Sequence, residues 1–367
     1  MLTYDELYSW VKDLPVIDWH NHLDLDWIAA NRPLGSLYEV WVKADPYKHR
    51  AMRICGEREE LITGDVPETE KWSAWMRTLP KLVGNPIFAW AKMELVFLGF
   101  DEAVYLRGAG ANVSLSAWTP RKMLNAFRVE YFDPGYRMNA GDPVEVAAME
   151  RVHARGGRVL DISIDDVARL SEPEMMQSVR DAATFAVRHG WTMLLHLGAL
   201  RQTSDRLRVA AGPAGGYAGM RAPVDPQIVA RLLNALEGDG VLPRTILLSL
   251  NPEAHAQLAV LAGSFNEAGK PGKVQLGPAW WWCDHQEGIL DVLEKNAAYG
   301  VLSTFVGMTT DSRSLLSFVR HDYFRRILCR WTAEKIAVGD FPDDPGLIRP
   351  ILENICYRNS KALVAAV

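Results

Sequence analysis

Short apolar runs alternate with amphipathic stretches along most of the chain. The apolar runs occupy residues 16–20, 159–164, 193–197, 245–250, 273–276 and 305–308. Apolar residues recur at helical spacing between them, as in residues 173–189, 226–236 and 291–299. Strands that alternate with helices are typical of parallel βα units, and continuously apolar strands indicate a sheet covered on both faces. No glycine-rich phosphate-binding motif follows the first run, so the pattern predicts a distorted (β/α)8 barrel in the α/β class and not a nucleotide-binding sheet.

Residues 24–110 interrupt this alternation. They are rich in tryptophan, arginine and helix-forming residues and contain few strand signals. We interpret them as a mostly helical insertion after the first strand that folds over the barrel mouth. No Pro-, Gly- or Ser-rich linker separates them from the rest, so we expect one domain over residues 1–367.

Composition and charge exclude several classes of protein. Hydrophobic residues make up 49% and charged residues 23%, with a formal net charge of −5, which is typical of a globular protein and poor for nucleic-acid binding. No apolar stretch reaches the ~18 residues of a membrane span, and the first residues lack a secretory signal. The four cysteines form no CxxC pair. We therefore expect a cytoplasmic protein without a nucleic-acid or membrane partner.

Two histidines close the first predicted strand. His20 and His22 are two positions apart, and such residues of a strand share a face. The carboxyl end of a barrel strand opens onto the active site, where two imidazoles can be ligands of a divalent metal. The alternative is a pair of histidines that are satisfied by hydrogen bonds within the protein.

A second polar pair follows the last predicted strand. Asp311 there suits a third metal ligand or a general base, and Arg313 can bind a substrate oxyanion or carboxylate through its fork of donors. The alternative for Asp311 is to cap the helix predicted over residues 314–328.

Four other segments carry possible site residues. His196 ends a predicted strand and suits a metal ligand, a contact to a substrate hydroxyl or a buried structural role. At least one of the tryptophans at 280–282 is expected to line the cavity. Residues 47–53 are either a solvated basic turn or a cover for the site. His321 either belongs only to the helix after the last strand or also faces the pocket.

Taken together, these segments resemble the uronate isomerases of the amidohydrolase superfamily. The matching blocks run in family order along nearly the whole chain. They are residues 18–23 (DWHNHL), 47–53 (YKHRAMR), 196–201 (HLGALR), 250–252 (LNP), 277–282 (GPAWWW), 307–314 (GMTTDSRS) and 320–329 (RHDYFRRILC).

The resemblance implies a distorted (β/α)8 barrel with one divalent metal, usually zinc, at its mouth. It implies the interconversion of D-glucuronate with D-fructuronate and of D-galacturonate with D-tagaturonate, by proton transfer through an enediol. The metal ligands it implies are His20, His22 and Asp311. Catalytic roles fall on Asp311 or a metal-activated water as base, Arg313 and Tyr47. For substrate binding we expect His196, Arg201, Arg50, Trp280, Trp281 and His321, and we expect a homo-oligomer.

The chain also departs from the family pattern. It is shorter between Gly99 and Asp161, and Ile164 stands where an arginine for the substrate carboxylate is expected. This departure leaves a second hypothesis, a metal-dependent hydrolase on the same scaffold that cleaves a sugar-acid lactone or related substrate. A third is a sugar-acid binding protein that has lost catalysis, against which the joint presence of the metal-site residues argues.

Overall fold

Parallel strands form the centre of the fold, which we describe from a computed structural model of residues 1–365. The strands are β1 (Val16–Asp18), β2 (Val129–Phe132), β3 (Tyr136–Asn139), β4 (Val159–Ile164), β5 (Thr192–Leu197), β6 (Ala199–Leu200), β7 (Gly219–Met220), β8 (Thr245–Ser249) and β9 (Val274–Leu276). Five of them form a parallel sheet in the order β3-β4-β5-β8-β9, and β1 pairs with β2 in parallel. The short strands β6 and β7 form a separate antiparallel pair.

An eighth segment, residues 305–310, closes the ring between β9 and β1 without forming a strand. Gln275 Oε1 accepts from the backbone N–H of Val306 at 3.1 Å, and Asp18 Oδ1 accepts from the N–H of Thr310 at 2.7 Å. Side chains thus replace ladder hydrogen bonds on both sides of this segment. With it, the seven main strands make the distorted α/β barrel that the sequence predicts.

Five of the six apolar runs form strands close to their predicted limits. The exception is the predicted strand at residues 305–308, which is wrong. Gly307 has a φ of +72°, in the left-handed region that regular strands do not use. Phe305 at the start of the segment is extended, but the kink at Gly307 prevents a continuous row of backbone groups from facing the neighbouring strands.

The helices surround this ring. They are α1 (Tyr4–Val11), α2 (Leu25–Ala30), α3 (Leu37–Trp41), α4 (Pro46–Ile54), α5 (Glu68–Thr78), α6 (Pro86–Phe97), α7 (Glu102–Leu106), α8 (Pro120–Ala126), α9 (Val146–Ala154), α10 (Pro173–Arg188), α11 (Asp205–Ala211), α12 (Pro226–Gly238), α13 (His255–Gly263), α14 (Gln286–Tyr299), α15 (Val319–Ala337), α16 (Pro345–Glu353) and α17 (Asn359–Val364). Several begin with proline after an Asp, Asn or Thr cap, a combination that favours a helix start. None of the helices in residues 1–365 has the length and apolar character needed to cross a membrane.

Buried apolar side chains form three layers. Inside the ring, Ile17, Val159, Leu194 and Ile246 pack together. Alternate residues of the same strands point outward, where they pack against helices such as α10. A third cluster lies within the helical stretch after β1, which contains helices α2 to α7. Buried tryptophans form the centre of this cluster. That this stretch belongs to one domain with the barrel remains a prediction.

Substitution of Gly307 tests whether the kink in residues 305–310 is constrained by its surroundings. A Cβ on Gly307 would overlap the carbonyl oxygen of Ile355, whereas a Cβ on Gly339, which has a similar φ of +85°, would meet nothing within 4 Å. An L-residue in this conformation costs about 1–2 kcal/mol. We expect Gly339→Ala to lose about that much free energy of unfolding, and Gly307→Ala to lose at least about 3 kcal/mol because backbone must also move.

Urea unfolding of the two variants measures this difference. Equal losses would show that the contact with Ile355 does not constrain the segment.

Candidate metal centre and active-site cavity

Two segments that are far apart in sequence, one after β1 and one after residues 305–310, bring two histidines and an aspartate together. His20 Nε2 lies 3.1 Å from Asp311 Oδ1, and His22 Nε2 lies 2.8 Å from the same oxygen. The chain bends at His20, and both imidazoles point to Asp311. Asp311 has a φ of +47°, which aspartate tolerates better than most residues.

A second His/Asp pair lies beside this group. His196 Nδ1 is 2.7 Å from Asp161 Oδ1, and His20 Nδ1 is 3.9 Å from Asp161 Oδ2. His20 therefore belongs to two groups that could each hold a metal ion. The group with His22 and Asp311 contains the three metal ligands that the family resemblance implies.

Burial and hydrogen bonding shift the pKa values of these side chains in opposite directions. Burial alone would raise the pKa of Asp311, but the bonds from His20 and His22 hold that pKa well below its ordinary value. The pKa of Asp161 is lowered in the same way by His196 and His20 against the effect of burial. For His22, burial prevails and lowers the pKa. Both carboxylates are therefore ionised, and His22 is neutral near pH 7.

The donor atoms fit a divalent metal ion. Two imidazole nitrogens and one carboxylate oxygen are a typical zinc set, and neutral histidine with ionised aspartate are the forms that bind metal. His20 Nδ1 is buried without a hydrogen-bond partner among residues 1–365. A histidine that binds metal through Nε2 carries its proton on Nδ1, and Asp161 is the carboxylate that faces it.

The cluster lies at the base of a cavity of about 680 Å³. The wall includes Tyr47 and other residues from α2 to α4 on one side, and Trp280 and Trp281 on another. Tyr47 Oη and Trp280 Nε1 are buried without a hydrogen-bond partner among the described residues. Burial raises the pKa of Tyr47 well above its ordinary value, so its phenol is a neutral donor.

Most of the predicted site residues line this cavity. They are His20, His22, Tyr47, His196, Arg201, Trp280, Trp281, Asp311 and Arg313. Arg50 and His321 do not belong to its lining, contrary to our expectation. The guanidinium of Arg50 lies 4.7 Å from the ring centre of Trp282, and His321 is 3.1 Å from Asp18 in the buried interior.

The cavity wall also contains residues that sequence reasoning did not assign to the site, among them Arg137, Asp161 and Ser163. Arg137 contacts His22 Nδ1 and pairs in register with Asp161. Ile164, the residue that stands where an arginine is expected, does not face the cavity. Ile164 is fully buried among outward-facing residues of β4, whereas Asp161 and Ser163 face the cavity.

Comparison with known proteins agrees with this architecture. The sequence pattern of the family described as glucuronate isomerase matches residues 3–118 and 160–364. A uronate isomerase of Bacillus subtilis is 32% identical to this chain, and the alignment covers 96% of this chain and 93% of the relative. A uronate isomerase of Caldicellulosiruptor bescii is 33% identical, and the alignment covers 96% of this chain and 94% of the relative. The crystal structure of uronate isomerase from Thermotoga maritima has the same fold, with a TM-score of 0.82, 24% identity and coverage of 99% of this chain and 97% of that one.

The convergence of donors predicts that metal binding depends on each histidine. We expect purified His20→Ala and His22→Ala to hold much less than one metal ion per chain, because two remaining ligands bind weakly. His285→Asn is a matched control, since His285 caps α14 outside the cavity and asparagine caps as well.

Elemental analysis of protein after gel filtration gives the metal content of the three variants. Wild-type metal content in both alanine variants would exclude this cluster as the metal centre.

Proposed function

The chain belongs to the glucuronate isomerase family, and we propose from this premise that it interconverts hexuronate aldoses and ketoses at the cluster of His20, His22 and Asp311. The observation that carries the proposal is the convergence of these three side chains on one point at the base of a cavity. D-glucuronate and D-galacturonate are the substrates we expect.

The ion we propose is zinc, held by His20, His22 and Asp311. When bound, it would supply Lewis acidity to the carbonyl and hydroxyl oxygens of the open-chain sugar. The nitrogen ligands favour zinc over magnesium or calcium, which prefer oxygen.

We assign the transfer of the proton from carbon 2 to carbon 1 to Asp311. Its Oδ1 faces the two histidines, and its Oδ2 accepts no hydrogen bond from the rest of residues 1–365. The low pKa of Asp311 keeps it ionised, so it enters the reaction as a carboxylate. Oδ2 takes the proton from carbon 2 to form the enediol and returns it to carbon 1, while the hydroxyl proton on oxygen 2 passes to oxygen 1. A positioned base of this kind contributes about 10²–10⁴-fold.

Two buried donors would orient the sugar. Tyr47 Oη and Trp280 Nε1 have no partner among the described residues, and a buried donor without a partner costs free energy. A substrate oxygen that accepts from either group removes this cost. Tyr47 donates to the oxygen on which charge develops, and Trp280 with His196 contacts the hydroxyl groups.

The arginines lie at two depths of the cavity: an inner level beside the cluster and an outer level nearer the mouth. Arg137 is level with Asp161 of the cluster. Arg201 reaches Ser163, two residues farther out along β4 and so about 7 Å away, with Nη2 2.9 Å from Ser163 Oγ. Arg313 stands two residues after Asp311 and is exposed. An extended six-carbon chain with carbon 1 at the cluster ends near the outer level, so we assign its carboxylate to Arg201 and Arg313.

The hydrolase alternative finds no support, since the relatives named above are isomerases. A cytoplasmic location and a homo-oligomer remain predictions.

The first test follows turnover directly. We expect metal-replete protein, incubated with D-glucuronate or D-galacturonate in D₂O, to give ketose signals in proton NMR. Any deuterium at carbon 1 or 2 reports exchange of the transferred proton with solvent. Unchanged spectra from protein that holds one metal ion per chain would refute the hexuronate assignment.

The second test concerns the carboxylate. Removal of one charge-assisted hydrogen-bond donor costs about 2 kcal/mol, or roughly 30-fold in affinity. We expect Arg201→Met and Arg313→Met each to raise KM for hexuronates by about this factor with a smaller change in kcat. Arg208→Met on α11 is the control, because Arg208 lies outside the cavity lining.

Steady-state kinetics of the three variants measures both parameters. An unchanged KM in both cavity variants would place the carboxylate elsewhere.

A further inference from the structure

A buried carboxylate that is not a metal ligand joins the two chain segments of the proposed metal centre. Asp18 is fully buried at the end of β1, two residues before His20. Its Oδ1 accepts from Thr309 Oγ1 at 3.0 Å and from the N–H of Thr310 at 2.7 Å, and its Oδ2 accepts from Thr310 Oγ1 at 2.7 Å. One side chain therefore holds the two residues that immediately precede Asp311.

The contact between β1 and residues 305–310 has no regular strand pairing. Residues 305–310 form no strand, so the distance between this segment and β1 is not set by a ladder of backbone hydrogen bonds. Beyond Asp18, the N–H of Asp311 donates to the carbonyl of His20 at 3.1 Å, and the N–H of His22 donates to the carbonyl of Ser312 at 2.8 Å. Asp18 fixes the segment just before these two bonds form.

His321 supports Asp18 from the opposite side. It lies on α15, is 6% exposed, and its Nε2 donates to Asp18 Oδ1 at 3.1 Å. The sequence suggested that His321 contacts the substrate, but it has no part in the cavity wall. Its contact with Asp18 connects α15 to the seam between the first and last segments of the ring.

We propose that Asp18 and His321 are positioning residues that set the distance between Asp311 and the His20–His22 pair, and thereby the geometry and affinity of the metal centre. The proposal rests on the proposed metal site. The N–H and hydroxyl of Thr310 and Nε2 of His321 donate to Asp18, and the hydroxyl of Thr309 lies between Asp18 and the carbonyl of His20. These contacts give the carboxylate one orientation, and Thr309 and Thr310 follow it. Asp311 leaves this fixed segment in a left-handed conformation, so a small shift of the segment moves its carboxylate away from both imidazoles.

The test compares His321→Leu and His321→Gln with the wild-type protein. Leucine removes the donor to Asp18, and glutamine can replace it because its amide nitrogen reaches about as far as Nε2. Loss of an outer partner of a metal site typically weakens metal binding 10–100-fold. We expect this loss in His321→Leu, together with a changed visible absorption spectrum of bound Co²⁺, and we expect His321→Gln to restore both to within about threefold.

His255→Leu is the matched control. His255 is buried, lies outside the cavity lining, and forms a comparable pair with Asp291 at 2.6 Å. We expect its loss to lower thermal stability but to leave the Co²⁺ spectrum and the metal dissociation constant unchanged. Chelator competition measures that constant in each variant.

If His321→Leu does not fold, Thr310→Val provides the second variant. It removes only the hydroxyl that donates to Asp18 Oδ2, with little change of shape, and we expect a weaker version of the same spectral and affinity change. Wild-type Co²⁺ spectrum and affinity in the folded variants, or an equal change in His255→Leu, would overturn the proposal. A wild-type protein that binds no metal would instead refute the metal site on which it rests.

Discussion

The structure depends on how the ring of parallel segments closes between residues 291 positions apart, where His20 meets Asp311. Ordinary closure of a barrel uses backbone ladders, but here a kinked segment stands between β9 and β1, and side-chain oxygens of Asp18 and Gln275 accept its N–H groups. A buried carboxylate is costly unless several donors satisfy it. At this seam the donors to Asp18 are present. Its buried carboxylate therefore fixes the position of residues 305–310, and with it the direction of Asp311, instead of destabilising the core.

The rest of the molecule maintains this arrangement from two sides. The apolar interior of the ring fills the space beneath the polar cluster, so that the cluster is confined to the open end. Above it, the helices after β1 have their own tryptophan-rich core, which holds Tyr47 at the cavity wall. The hydroxyl of Tyr47 and the indole N–H of Trp280 donate to no protein group among the described residues, so both donors are free to bind a polar ligand in the cavity.

The sequence predicted the elements whose signal is local. Apolar runs with turns at both ends gave β4, β5, β8 and β9 almost to the residue, and the spacing of His20 and His22 indicated a shared face. It could not give the pairing of Asp161 with His196, because these residues are 35 positions apart and no local pattern shows the register between β4 and β5. It also could not show that His321 points into the interior, since a helix with buried residues on several sides has no clear periodicity. Family resemblance supplied the meeting of His20 with Asp311, a contact that no local pattern contains.

The case of Ile164 shows how a strand's period of two limits alignment. Along β4, Asp161 and Ser163 face the cavity, and Leu160, Ile162 and Ile164 face the helices, so an assignment displaced by one residue exchanges cavity for core. An arginine at residue 164 would have to bury its charge among apolar side chains. The chain has a cavity-lining arginine, Arg137, on the adjacent strand β3, within residues 119–159, where the family pattern does not match. Parallel register places Arg137 level with Asp161, three residues before Ile164, so Arg137 adds a cation beside the cluster and does not take the place of an arginine at residue 164.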